Sequence, residues 1–266
     1  MSGRNTRAWL RWAGGFAVLA VVAAAAYGLE RGHRWLTAEG RFPVKEIRVS
    51  GCLLLYEGEV LETAGALRGE NLLTVDPEMV RARLLASGWI REARVQRRPP
   101  GRVLIAVEER RPWLLAPGEI ARFVDREGCL FPAGGKEERL DLPILHDPAG
   151  RARTVVPALA AAFPAGDGWF DEKVAQVSID ASGAVTLIER SRGTRARFGS
   201  GDFAGKAERL RTVLAEWEKS AEAYEELDLR YEGQAIARRP IVPPEEEEDE
   251  EERPDAEKRE SERKSV

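Results

Sequence analysis

The 266 residues predict an α+β protein with four parts in order: a single N-terminal transmembrane helix, a β-α-α-β-β domain, a mixed β domain with a C-terminal edge strand, and a disordered acidic tail. Three observations carry that prediction. Residues 13–29, AGGFAVLAVVAAAAYGL, hold no charge. Residues 89–112, WIREARVQRRPPGRVLIAVEERRP, alternate apolar and polar on both sides of a Pro-Pro-Gly turn, the pattern of a hairpin with one buried face. Further on, VAQVSID and AVTLIER alternate in the same way and precede an amphipathic helix.

The uncharged run is at the short end of what crosses a bilayer. Arg4, Arg7 and Arg11 precede it without an acid among the first dozen residues, whereas Glu30 and Glu39 offset Arg31 and Arg34 beyond it. That bias places residues 1–12 in the cytoplasm. Trp9, Trp12, Tyr27 and Trp35 suit the two interfaces of a retained helix. The alanines at 23–26 also offer small residues at which a signal peptide could be cleaved. Both readings send the remainder out of the cytoplasm.

Residues 44–51, VKEIRVSG, read as a strand with Ile47 and Val49 inward, and residues 57–65 as a short helix closed by glycine. Asp76 is the expected N-cap of a second helix, with Pro77 where a missing N–H costs nothing. Val80 and Leu84 form its apolar face, and Gly88 ends it. In the hairpin, Ala93, Val95 and Arg97 share one parity, as do Val103, Ile105 and Val107. The chain must reverse at residues 98–101, because two prolines cannot donate to a ladder and Gly101 can take positive φ.

The second domain, residues 113–239, opens with two short strands around a turn at Asp125-Arg126-Glu127-Gly128, followed by Leu142-Pro143-Ile144-Leu145 and an apolar, helix-like stretch near residues 155–163. Strands at 174–180 and 184–190 join through Ser182-Gly183, and 195–198 is another. A helix over about 202–219 carries Phe203, Ala207, Leu210, Val213, Leu214 and Trp217 on one face. Residues 226–238, ELDLRYEGQAIAR, form a terminal strand with Leu227, Leu229 and Tyr231 on one side.

From Glu245 onward there are 12 acidic and 5 basic residues, a net of -7 that leaves +3 elsewhere in a chain of total charge -4. The tail, residues 240–266, cannot bury enough apolar area to order itself. The mildly basic remainder does not argue for nucleic acid. Cys52 and Cys129 lie in different domains and read as small apolar fillers rather than a disulfide. His33 and His146 read as solvated residues, and no G-x-S-x-G elbow occurs. Ser200 to Ala207, SGDFAGKA, sits where a phosphate loop would sit, but it lacks the first glycine and has Ala207 in place of a magnesium-holding hydroxyl. It reads instead as a helix N-terminus capped by Ser200 or Asp202. No catalytic residue, cofactor or metal is expected.

The order strand, helix, helix, strand, strand over residues 44–112, with GENLLTVD before the second helix and GWIREARVQRRPPGRVLIAVEERRP after it, resembles a POTRA domain, and specifically that of the FtsQ/DivIB family of bacterial cell-division proteins. Gly88 stands where that family often has proline, and either residue stops a helix. The pattern D-x-x-G-x-x-F at 125–131, the turn and helix at 199–210, and Asp228-Leu229-Arg230-Tyr231 extend the resemblance through the β domain. The resemblance implies a non-enzymatic divisome scaffold, single-pass in the inner membrane, with periplasmic C-terminal domains and enrichment at the septum. Its partners would be membrane proteins of the FtsB/FtsL (DivIC) type. Two other classes stay open. One is a POTRA-containing envelope-assembly or transport protein, for which the strands of a barrel are lacking. The other is an extracytoplasmic enzyme.

A final strand ahead of a charged tail leaves one sheet edge unpaired, and such an edge invites a partner strand. The expected contact residues are Arg230, Tyr231, Gly233, Ala235 and Ile236. Tyr231 leads that set because the resemblance implies that the matching tyrosine contributes to the FtsB-like contact. The alternative is that Tyr231 packs on its own sheet, since aromatics favour strands whatever they bind.

Overall fold

A computed structural model describes residues 5–38, 40–219 and 224–239, with side chains from residue 19 onward. Helix α1 (Asn5–Thr37) contains the whole uncharged run 13–29. Among the described residues, no helix is long and apolar enough to cross a membrane. The side chains of residues 13–18 within that run, the first four residues and the tail at 240–266 lie outside the described residues.

The first domain follows the expected order: β1 (Glu46–Ser50), α2 (Glu57–Ala64), α3 (Pro77–Ala86), β2 (Ile90–Arg98) and β3 (Arg102–Glu109). The sheet runs β1-β3-β2, with β1 parallel and β2 antiparallel to the central β3. Asp76 caps α3 by accepting from the Glu78 N–H at 2.9 Å, with Pro77 inside the first turn. Val80 and Leu84 of α3 pack with Val60 and Ala64 of α2 against Ile90, Ala93, Val103, Ile105 and Val107 of the sheet. The alternation of the hairpin therefore becomes one buried face. The hairpin glycine differs from expectation in its reason. Gly101 does not adopt positive φ. A Cβ there would stand 2.8 Å from the Pro43 carbonyl oxygen, so glycine is required by close approach of the chain after α1.

The second domain contains β4 (Leu114–Ala116), β5 (Arg122–Val124), β6 (Leu130–Pro132), β7 (Ile144–His146), α4 (Ala152–Ala162), α5 (Trp169–Lys173), β8 (Val174–Ile179), β9 (Val185–Glu189), β10 (Arg195–Gly199), α6 (Phe203–Trp217), β11 (Glu226–Asp228) and β12 (Ile236–Arg238). These strands form a nine-stranded sheet in the order β12-β11-β10-β9-β8-β7-β4-β5-β6. Three strands, not two, precede residue 134. The Asp125 turn joins β5 to β6, its carboxylate accepting from the N–H groups of Glu127 (3.1 Å) and Cys129 (2.8 Å). The short α5 was not anticipated. The single strand expected over 226–238 is two strands separated by a turn.

Helices α4 and α6 cover one face of this sheet, where Val156, Leu159, Phe203, Ala207, Leu210 and Leu214 pack on Val177, Leu187, Ala196, Phe198 and Leu227. Strand alternation decides what the other face does. Leu114 pairs with Val124 and faces the helices, so the neighbouring pair Leu115 and Phe123 must face away. There Phe123 and Phe131 receive Trp89 of the first domain, whose ring stands edge-on to both, at centroid distances of 5.7 and 5.1 Å. Polar contacts surround this junction. Lys136 bonds Glu59 at 2.5 Å and Arg110 bonds the buried Asp125 at 2.8 Å. The buried Glu109 carboxylate accepts from the N–H groups of Leu53 (2.8 Å), Leu54 (2.7 Å) and Leu55 (3.1 Å). Lysine donation, more than anything else, holds the Glu59 carboxyl below its usual value.

Candidate functional site

The site expected at the C-terminal edge is built by β11, β12 and the turn between them. Strand β11 lies parallel to β10, with Ala196 opposite Leu227 and Arg197 opposite Asp228. Leu229 continues that pairing by donating to the Arg197 carbonyl at 2.9 Å. Leu227 and Leu229 are both buried, as apolar residues of one parity on a covered face should be. The chain then leaves the sheet, so Tyr231 does not share their environment. It is 52% exposed, and the expected common face of Leu227, Leu229 and Tyr231 is corrected to the two leucines.

The reversal is made by Gly233 at φ +66, in the left-handed region that glycine tolerates, and by a Gln234 N–H to Tyr231 carbonyl bond of 3.4 Å. Ala235 is exposed between this turn and β12. Strand β12 then runs antiparallel to β11, with Ile236 opposite Asp228 and Ala237 opposite Leu227. All three of its residues are exposed, Ile236 at 50%. Among the described residues no strand covers its outer side. Of the five residues expected to meet a partner, Ile236 lies in the edge strand itself, Tyr231 and Gly233 lie in the turn, Ala235 follows the turn, and Arg230 precedes it.

Arg230 is held from within. Its backbone N–H and Nε each donate to Asp228 Oδ1 at 3.0 Å, and Nη2 donates to Oδ2 at 2.6 Å. Its aliphatic stem crosses Gly199, where a Cβ would come within 3.0 Å of the Arg230 Cγ. The arginine hydrogen bonds hold the Asp228 carboxyl below its usual range, and Arg197 adds a smaller pull in the same direction. Asp228 belongs to the Asp228-Leu229-Arg230-Tyr231 motif but not to the expected contact residues. Its position two residues before an arginine on a strand, where both side chains project to one face, is the signal that could have found it.

The remaining chemical candidates are placed as follows. His33 and His146 are exposed and stand in different parts of the chain. Cys52 and Cys129 are unpaired. Burial, then the Glu109 carboxylate, pushes the Cys52 thiol above its ordinary value, away from thiolate character. In the loop before α6, Asp202 is the cap, accepting from the Gly205 N–H at 3.1 Å. Lys206 donates its ammonium to the Ser200 and Gly201 carbonyls at 2.8 and 2.7 Å, so it serves its own loop rather than a phosphate. Among the described residues, no group of three or more His, Cys, Asp or Glu side chains could hold a metal ion.

Two family models match the chain. The FtsQ-type POTRA domain matches residues 42–110, and the C-terminal domain of cell division protein FtsQ/DivIB matches residues 113–230. Residues 231–238, with Tyr231 and the whole of β12, lie beyond the second match. Among curated relatives, the cell division protein FtsQ of Geotalea daltonii is 24% identical over 238 residues, covering 85% of each chain. That of Geobacter sp. strain M21 is 27% identical over 207 residues, covering 74% of this chain and 76% of the relative. That of Anaeromyxobacter sp. strain K is 29% identical over 198 residues, covering 70% and 67%. A three-stranded β-α-α-β-β domain docked through Trp89 onto a nine-stranded β domain, matched in that order by both models, places this chain in the FtsQ/DivIB family of cell-division proteins.

Proposed function

We propose that the chain is a bitopic, non-enzymatic scaffold of the division machinery. Helix α1 is its single span in the inner membrane, with the first dozen residues in the cytoplasm and both folded domains in the periplasm at the septum. The uncharged run 13–29 between an arginine-only N-terminus and a mixed-charge exit supports that orientation. Partners of the FtsB/FtsL (DivIC) type add a strand to β12, linking early and late division proteins.

The observation that carries this reading is the outermost position of β12, with its residues exposed and Tyr231 standing free beside it. Main-chain groups on such an edge supply affinity, and the neighbouring side chains supply choice. Cross-linking in intact membranes, followed by capture of the full chain, tests it. Recovery of small coiled-coil bitopic proteins, lost when the chain is ended at Leu229, is the expected result. Equal recovery by the shortened chain would falsify the edge model, and recovery of outer-membrane assembly factors instead would favour the envelope-assembly class.

A further inference from the structure

The end of α1 and the tip of the β2–β3 hairpin meet at one end of the POTRA domain. Asn71, buried, donates through Nδ2 to the carbonyls of Leu36 (2.7 Å) and Ala38 (3.0 Å), fastening the helix exit to the loop before α3. The Gly101 carbonyl at the hairpin tip accepts from the N–H groups of Lys45 (2.8 Å) and Glu46 (3.2 Å). Arg97 donates to the Leu73 carbonyl at 2.9 Å, tying the hairpin to the same loop.

This end is basic. The register sets Arg98 opposite Arg102, and Arg102 opposite Glu46. Arg41, Lys45, Arg68, Arg98 and Arg102 are all exposed here, and the Arg41 guanidinium lies 4.0 Å over the Trp35 ring. Three described carboxylates share the region, Glu46, Glu70 and Asp76; Glu46 is already bonded to Arg48 at 2.5 Å and Asp76 caps α3. Glu39 also belongs to this stretch and lies outside the described residues.

We propose that this end of the POTRA domain docks on anionic phospholipid headgroups. The inference rests on α1 being the membrane helix. From Glu30 to Thr37 the helix continues past the uncharged run by roughly 12 Å, at about 1.5 Å per residue. The headgroup layer on each side of a bilayer is roughly 5–7 Å thick. The helix exit at Thr37 is therefore within about one Debye length of the headgroups, and Asn71 and Gly101 hold the domain's basic end to the short segment that follows it, where lysine and arginine stems reach outward. Clustered basic residues immediately beside a membrane helix are drawn to anionic lipid, and a half-exposed Trp35 suits the interface. With Asn71 fixing the helix exit, headgroup contact gives the domain a second attachment and one orientation on the membrane.

The test uses the full chain, with Cys52→Ser and Cys129→Ser, reconstituted in phosphatidylcholine vesicles with and without phosphatidylglycerol. A fluorophore on Glu70→Cys is read against a headgroup-attached nitroxide lipid, and one on Val22→Cys against an acyl-chain nitroxide. The expected result is about twofold stronger quenching at position 70 with phosphatidylglycerol, lost in high salt, which screens such attraction. The same loss is expected in Arg98→Glu/Arg102→Glu. No quenching at position 22 removes the membrane helix and this inference with it. Quenching at 22 with a position-70 signal indifferent to phosphatidylglycerol overturns the headgroup contact alone. The lipid comparison needs no charge reversal, so it decides the matter even if that variant fails to fold.

Discussion

Arg230 closes a bidentate ion pair with Asp228, two residues earlier on the same chain, and this pair sits at the point where β11 ends and the turn toward β12 begins. The arginine is therefore committed to shaping the turn. Tyr231, the next residue, is left with half of its surface in water.

Tyr231→Ala is expected to weaken partner binding by about 1–2 kcal/mol or more, as an interface anchor does. The melting temperature should change little, because the ring is not in the core. Calorimetric titration with a soluble partner segment and thermal unfolding of the same sample separate the two. A large drop in melting temperature with unchanged affinity returns Tyr231 to a packing role.

Proline at Ile236 and at Ala237 should give opposite results. In an antiparallel pair, successive N–H groups point to opposite sides, so one of these two positions donates to β11 and the other points outward. Removing the outward donor is expected to block the partner and spare stability, while removing the inward one detaches β12. Affinity measured for the two variants, alongside hydrogen exchange of β11, reads this out. Equal, undiminished affinities in both would exclude strand addition at β12.

The Asp228 carboxyl is held below its usual value by Arg230, so it contributes stability that is present above the ordinary aspartate pKa and is lost as pH falls through its lower, folded value. Acidification below the ordinary carboxylate range should loosen the C-terminal turn before the POTRA core. Asp228→Asn should flatten that part of the profile and free the Arg230 side chain. Proteolysis of the 230–238 region as a function of pH checks it, and an unaltered profile in Asp228→Asn would count against the pair.

Leu84 is fully buried between α2, α3 and the sheet, so Leu84→Ala is expected to cost about 2–5 kcal/mol. Urea unfolding of the protein measures it, and an unchanged midpoint would remove Leu84 from the core.

Trp89, 7% exposed against Phe123 and Phe131, belongs to the junction rather than to either domain core. Trp89→Ala should cost about 3–5 kcal/mol and loosen the docking of the two domains. Small-angle scattering of the variant should show a broader distribution of interdomain distances. A profile identical to the parent would place the docking elsewhere, with Lys136–Glu59 and Arg110–Asp125 the next contacts to change.

Periodicity and punctuation made much of the fold legible from sequence alone. The hairpin's alternation, Asp76 and Pro77 at the start of α3, and the apolar stripe of α6 each encode a local choice, and local choices are what propensity, capping and amphipathicity determine. Short strands carry too little pattern for this, which is why β4 and β5 read as one strand ahead of the Asp125 turn, and β11 and β12 read as one after α6. Tertiary structure alone decided that Trp89 seals a junction, that Glu109 gathers three N–H groups from a loop more than fifty residues away, and that Gly101 is needed for space rather than for φ. It also decided that Asp228 and Leu229 are buried while Arg230 and Tyr231 face water, the arginine held by Asp228. Each of these depends on groups distant in sequence meeting in space, and the energy of such a meeting appears in no single segment of the chain.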